Sequence, residues 1–221
     1  MKGYTTDDQD DGPLARYTPD AAALECYYKE TKAERWCTLN SGTNDYLYLE
    51  PNPEASGCGT FYWVDDPADA NPDMYRSAEG IDITDGILTF TAKTDHLWFE
   101  LDLEKDTYCQ HSTLQGFKQQ PDNIRVFDDV VYYCTDSSGP NGIFANDGEG
   151  WFGMVMALDF GSESAGVDFS SDGMYMYMSF FTRVTMVFWR EDGKPFDYKN
   201  AGIHYIQDSN NIYFGDGSIL G

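Results

Sequence analysis

The chain of 221 residues carries 38 acidic against 14 basic side chains, a formal net charge of −24. That balance excludes a nucleic-acid partner, whose phosphates are met by clustered Lys and Arg. It also excludes an anionic membrane surface, and no apolar run approaches membrane-spanning length. An acidic surface instead stays soluble and attracts divalent cations, which take carboxylate and carbonyl oxygens.

Residues 1–13, MKGYTTDDQDDGP, are acidic and turn-forming and read as a disordered N-terminus without the apolar core of a signal peptide. From Leu14 onward ALECYY, RWCTL and DYLYLE read as short strands between polar turns. GTFYWVDD from Gly59 reads as the last strand of a preceding unit. Cys26 and Cys37 are placed to close a disulfide across a hairpin. Five cysteines without CxxC or Cys/His spacing argue against zinc, and Cys134, inside VVYYCTD, reads as a buried thiol.

From Glu79 the chain repeats itself at a step of 43 residues: EGIDITDGILTFTAK, DNIRVFDDVVYYCTD, AGVDFSSDGMYMYMS. Each copy has a short alternating strand, a polar turn and an aromatic-rich strand. The first unit reads as strands 80–83, 87–92, 97–103 and 107–111. The second reads as 123–126, 130–134, 142–145 and 152–158. The third reads as 166–169, 174–179 and 184–190, with GIHYIQD as its outer strand. A period of this size with β-type alternation predicts an all-β propeller of four-stranded blades.

The propeller segment is assigned to residues 14–206, with an irregular tail at 207–221. About four to five blade-lengths are present, and an open edge is an aggregation hazard. The chain therefore reads as part of a larger propeller lacking N-terminal blades. Runs such as MYMYMSFF are expected to be covered on both faces, as packing between blades.

In a propeller the first strand of each blade lines the channel. Glu79 and Asp122 hold one repeat position at the entrance to that strand, and Glu163 comes two residues before the third. Converging acids of this kind suit a hard cation. Asp82, Arg125 and Asp168 also share a repeat position. They predict an ionic layer between blades, or an Arg125 fork that clamps an anionic substrate. His96, His111 and His204 fall at dissimilar positions, and no GxSxG or P-loop pattern occurs.

AEGIDITDGILTFTAKTDHLWFELDLEKDTY, QPDNIRV, YYCTD, ESAGVDFSSDGMYMYMS and REDGKPF together resemble the PhoX-type alkaline phosphatase family of β-propellers. The resemblance implies a six-bladed, exported enzyme with a calcium- and iron-containing cluster that hydrolyses small phosphomonoesters. Carried over by position, it implies Glu79 in AEG, Glu163 in ESAG, Asp122 in PDN and Asp136 in CTD as metal ligands. Thr135 stands where the family more often has a second acid. The other readings are a calcium-dependent lactonase and a non-catalytic, calcium-stabilised propeller.

Overall fold

A computed structural model describes residues 2–29, 31, 35–138, 140–157, 163–181, 185–199, 202–206 and 213–214; for 156–157, 202–206 and 213–214 only the backbone is described. Three antiparallel meanders follow one another, each starting at a strand beside the next blade's first. They comprise β5 (Ala78–Thr84), β6 (Ile87–Ala92), β7 (Leu97–Asp102) and β8 (Thr107–Ser112); β9 (Gln120–Phe127), β10 (Val130–Asp136), β11 (Asn141–Asn146) and β12 (Trp151–Ala157); and β13 (Ser164–Phe169), β14 (Tyr175–Phe180), β15 (Thr185–Trp189) and β16 (Gly202–Ile206). These are the expected four-stranded blades of an all-β propeller. Their first hairpins form for a local reason. Asp85-Gly86 and Asp128-Asp129 both adopt positive φ, the mirror-image turn that matches strand twist.

Before the blades, β1 (Gly3–Thr5), β2 (Ala15–Pro19), β3 (Gly42–Pro51) and β4 (Cys58–Val64) extend the first blade's sheet, because β4 pairs with β8. Several expectations fail here. The N-terminus is ordered: β1 pairs with β2, and Asp10 accepts hydrogen bonds from Ser77 and Thr94. ALECYY lies in a helix, α1 (Ala21–Tyr27), because Asp20 caps it by accepting from the Ala23 amide and an alanine run follows. RWCTL contributes a 3-10 helix at Trp36–Leu39, so the Cys26–Cys37 disulfide joins two helices rather than a hairpin. GTFYWVDD continues the first blade. In the tail, Tyr213–Phe214 form β17, which pairs with β12; the rest of 207–221 lies outside the described residues.

Each interface between blades has its own core. Leu47, Leu49 and Phe61 of the leading strands bury against Leu88, Phe90, Phe99 and Leu101. Trp98, Phe117, Ile124, Tyr133 and Phe144 close the first blade on the second. Tyr132, Cys134 and Ile143 meet Met176, Met178 and Phe180 of the third. MYMYMSFF therefore alternates after all: Met176 and Met178 are buried, Met174 is half-buried, and Tyr175 and Tyr177 face solvent. Burying Met176 and Met178 contributes about 1.5–3 kcal/mol each.

The inner strands approach tightly where Gly80 faces β9. A Cβ at Gly80 would meet the Ile124 amide nitrogen at 2.4 Å, so only glycine fits. Nearby, the buried Thr91 hydroxyl donates to the Asp122 carbonyl at 2.7 Å and accepts from the Gly80 amide at 3.1 Å. It ties both strand entrances to one point.

Candidate metal centre at the blade entrances

Each of the four acids owes its place to a strand end. Glu79 is the second residue of β5, Asp122 the third of β9, Asp136 the last of β10, and Glu163 directly precedes β13. The Ser164 hydroxyl holds this last entrance against the second blade. It accepts from the Thr135 amide at 2.7 Å and donates to the Gly142 carbonyl at 2.7 Å. Glu163 is thereby fixed beside Asp136. The structure brings Asp122, Asp136 and Glu163 together, with one carboxylate oxygen from each within 4.8 Å of the others.

Glu79 joins the group through Lys93, which no sequence argument had selected. The Lys93 ammonium lies 2.8 Å from Asp136 Oδ2, 3.0 Å from Glu79 Oε1 and 3.7 Å from Asp8 Oδ2. A signal for it existed: Lys93 stands one 43-residue step before Asp136, at the same blade position. Asp8 belongs to the acidic, turn-forming N-terminal segment, whose composition predicts disorder and gives no sign of a place at the rim. That segment crosses the rim, where the Thr6 hydroxyl donates to the Glu79 carbonyl.

One ammonium set against five carboxylates, Asp8, Glu79, Asp122, Asp136 and Glu163, leaves excess negative charge. Burial, then the Glu79 charge, push the Asp122 carboxyl up to about 7, with Lys93 opposing. Burial also raises Glu79, again against Lys93, and burial with Asp136 raises Glu163. Burial works against the Lys93 charge, yet Asp136 and Glu79 outweigh it and hold the ammonium protonated. Beneath the rim, burial and then Asp122 raise the fully buried Cys134 thiol, which makes it a poor thiolate.

The donor set fits a hard cation. Oxygens that each lie ~2.4 Å from one calcium ion are at most ~4.8 Å apart. Asp122, Asp136 and Glu163 meet that limit, and carboxyls that resist ionisation are relieved when a cation replaces the proton.

Arg125 lies elsewhere, in an open groove across the inner strands that Asn123, Asp168 and Tyr177 also line. Its Nη1 donates to Asp82 at 2.9 Å. Its Nε lies 3.2 Å from Asp168 Oδ1, close enough to pair but without hydrogen-bond alignment. The ionic layer across three inner strands is thus formed, and it engages the guanidinium on both sides.

No family model and no curated protein matches the chain. Among solved structures it is similar to a protein provisionally named a 6-phosphogluconolactonase from Bacteroides uniformis ATCC 8492. The two are 13% identical with a TM-score of 0.46, over 98% of this chain and 72% of the other. What the chain's own strands define is an all-β propeller with acids gathered at the entrances to its inner strands.

Proposed function

We propose that the chain is a calcium-dependent hydrolase of uncharged cyclic esters, a lactonase-like propeller whose cation is held by Asp122, Asp136 and Glu163. The observation that carries this reading is the triangle of carboxylate oxygens within 4.8 Å. A bound cation would polarise an ester carbonyl and lower the pKa of its water. The chain's own residues hold and tune that site. Asp122 keeps a proton near neutrality until a cation displaces it, and Lys93 offsets part of the remaining charge. An uncharged substrate is favoured because the rim is net negative and Arg125 is already engaged by Asp82 and Asp168.

The second reading is a PhoX-type phosphomonoesterase using calcium and iron. It rests on the resemblance of the Glu79 and Glu163 runs, and it needs several cations to bring a phosphate to these acids. Arg125 lies apart from these acids and would have to give up Asp82 or Asp168 to hold the phosphate, which counts against this reading. This reading places the protein in an exported, oxidising compartment, which the Cys26–Cys37 and Cys58–Cys109 disulfides favour.

The experiment is a panel of lactones and aryl phosphates, assayed after chelation and after addition of calcium, magnesium or iron. Calcium-restored lactone hydrolysis that Glu163→Gln abolishes supports the first reading. Phosphate hydrolysis that needs iron supports the second. Hydrolysis that persists in excess chelator overturns both, and calcium binding with no turnover reduces the protein to a calcium-stabilised binding propeller.

A further inference from the structure

Strand register shows which face of each blade looks towards the next. Opposite the ionic layer, the second strands place Thr89 across from Asp82, Tyr132 across from Arg125 and Tyr177 across from Asp168. In the first two blades this position is closed over by the blade that follows. Thr89 is 3% exposed and Tyr132 2%, and the Tyr132 ring packs on Phe169 of the third blade at 4.9 Å between centroids. In the third blade Tyr177 is 40% exposed, and so is Tyr175. The ionic layer shows the same break. Asp82 is buried and accepts from the Val126 amide of the next blade, whereas Asp168 is 69% exposed.

The face that holds Tyr177 extends along two strands. On β14 and β15 it consists of the opposed pairs Tyr175–Trp189, Tyr177–Val187 and Ser179–Thr185, none of them charged. In a chain of net −24, like charge keeps copies apart except at such neutral stretches. At the other end of the row of sheets the leading strands carry a face of the same kind. Leu47, Leu49 and Phe61 turn into the core against the first blade, so the alternate residues Tyr46, Tyr48 and Tyr62 turn away from it. Tyr48 and Tyr62 stack at 4.7 Å between ring centroids, and Tyr62 is 46% exposed. Tyrosines of this sort, apolar in body and polar at the tip, suit a protein interface.

We infer that the forward face of the third blade docks on the leading sheet of a second copy of this chain. Tyr175, Tyr177 and Val187 meet Tyr46, Tyr48 and Tyr62 of that copy. Each core between sheets in the chain joins the forward face of one to the rear face of the next, and this contact continues the pattern between chains. The two faces differ, so the contact is head-to-tail. The leading sheet and three blades of two copies together make about eight layers, the upper end of closed propellers, so the ring closes as a dimer. A second copy is favoured over a charged partner because these neutral tyrosines have no ionised group to hold one. The inference is independent of the acid rim and of any metal.

The test is sedimentation velocity of the whole chain in excess chelator. A dimer is expected at about 50 µM, well above a Kd of about 1 µM or tighter. Tyr177→Glu and Tyr62→Glu each put a like charge into both contacts of the ring. Each should raise the Kd at least about 30-fold, the effect of losing one interfacial anchor. Both positions are exposed, and a cooperative thermal transition shows that the sheets of each variant still fold. Mixing the two variants restores part of the association, because a mixed dimer keeps one contact free of substitution. A chain that stays monomeric at that concentration overturns the inference, whether the face is then open or covered by another part of the chain or by another protein. A dimer that neither substitution weakens, or that mixing fails to restore, also overturns it.

Discussion

Replacing Asp122 by Asn tests the electrostatics of the rim directly. The Asp122 carboxyl sits near 7 in the fold against an ordinary 3.8, so the folded chain keeps a proton that the unfolded chain has lost. Its contribution to stability therefore falls as pH rises from about 4 to about 7 and is level above that. At about 1.4 kcal/mol per pH unit, the loss is about 4 kcal/mol at most. An amide never ionises, so D122N lacks this slope. In calcium-free buffer the variant is expected to match its parent near pH 4 and to exceed it by about 2–4 kcal/mol near pH 8.

Lys93 does not blur this comparison. Its raised value keeps the ammonium charged throughout, and its contribution is lost only on the alkaline side. Calcium closes most of that gap near pH 8, because the parent gains about 2.7 kcal/mol at a hundredfold excess over Kd and the variant gains little. Urea unfolding followed by tryptophan fluorescence, with and without calcium, measures both. A parent-minus-variant difference that is flat with pH would refute the reasoning.

Further perturbations follow from the same geometry. Asp82 is buried and accepts from Arg125 and the Val126 amide, so D82A should cost about 2–4 kcal/mol in urea unfolding. Asp168 is 69% exposed, so D168A should cost under about 1 kcal/mol; equal losses would show that the ionic layer is not anchored on Asp82. G80A drives a Cβ into the β9 backbone and should cost about 1–3 kcal/mol, with a visible drop in melting temperature; no drop would contradict the close approach of β5 and β9. Of the disulfides, Cys58–Cys109 closes a separation of 51 residues and Cys26–Cys37 one of 11. Loop entropy gives about 4 and about 3 kcal/mol respectively, so paired serine substitution should be costlier at the first, and the reverse ranking would count against that account.

The blades were legible because the 43-residue step is written in strands and turns alike, and local alternation needs no tertiary context. Glu79, Asp122 and Glu163 were legible through the same symmetry. Asp136 came from family resemblance, although its position one step after Lys93 marks the same corner. What stayed hidden depends on contacts that break the repeat. α1 exists because Asp20 caps a short alanine run inside an otherwise strand-rich segment. Thr6 and Asp8 reach the rim only because β1 pairs with β2 and carries the N-terminal segment across it. The Cys58–Cys109 link follows from β4 pairing with β8, a register that no spacing in the sequence announces.

Calorimetric titration of calcium at about pH 8, above the Asp122 midpoint, puts the rim itself on trial. Asp122, Asp136 and Glu163 should take up one ion per chain, and D136N or E163Q should each weaken the affinity by about tenfold or more, the cost of losing one charged ligand. A titration without saturable heat, or an affinity that both substitutions leave unchanged, would contradict the assignment of a cation to these three carboxylates.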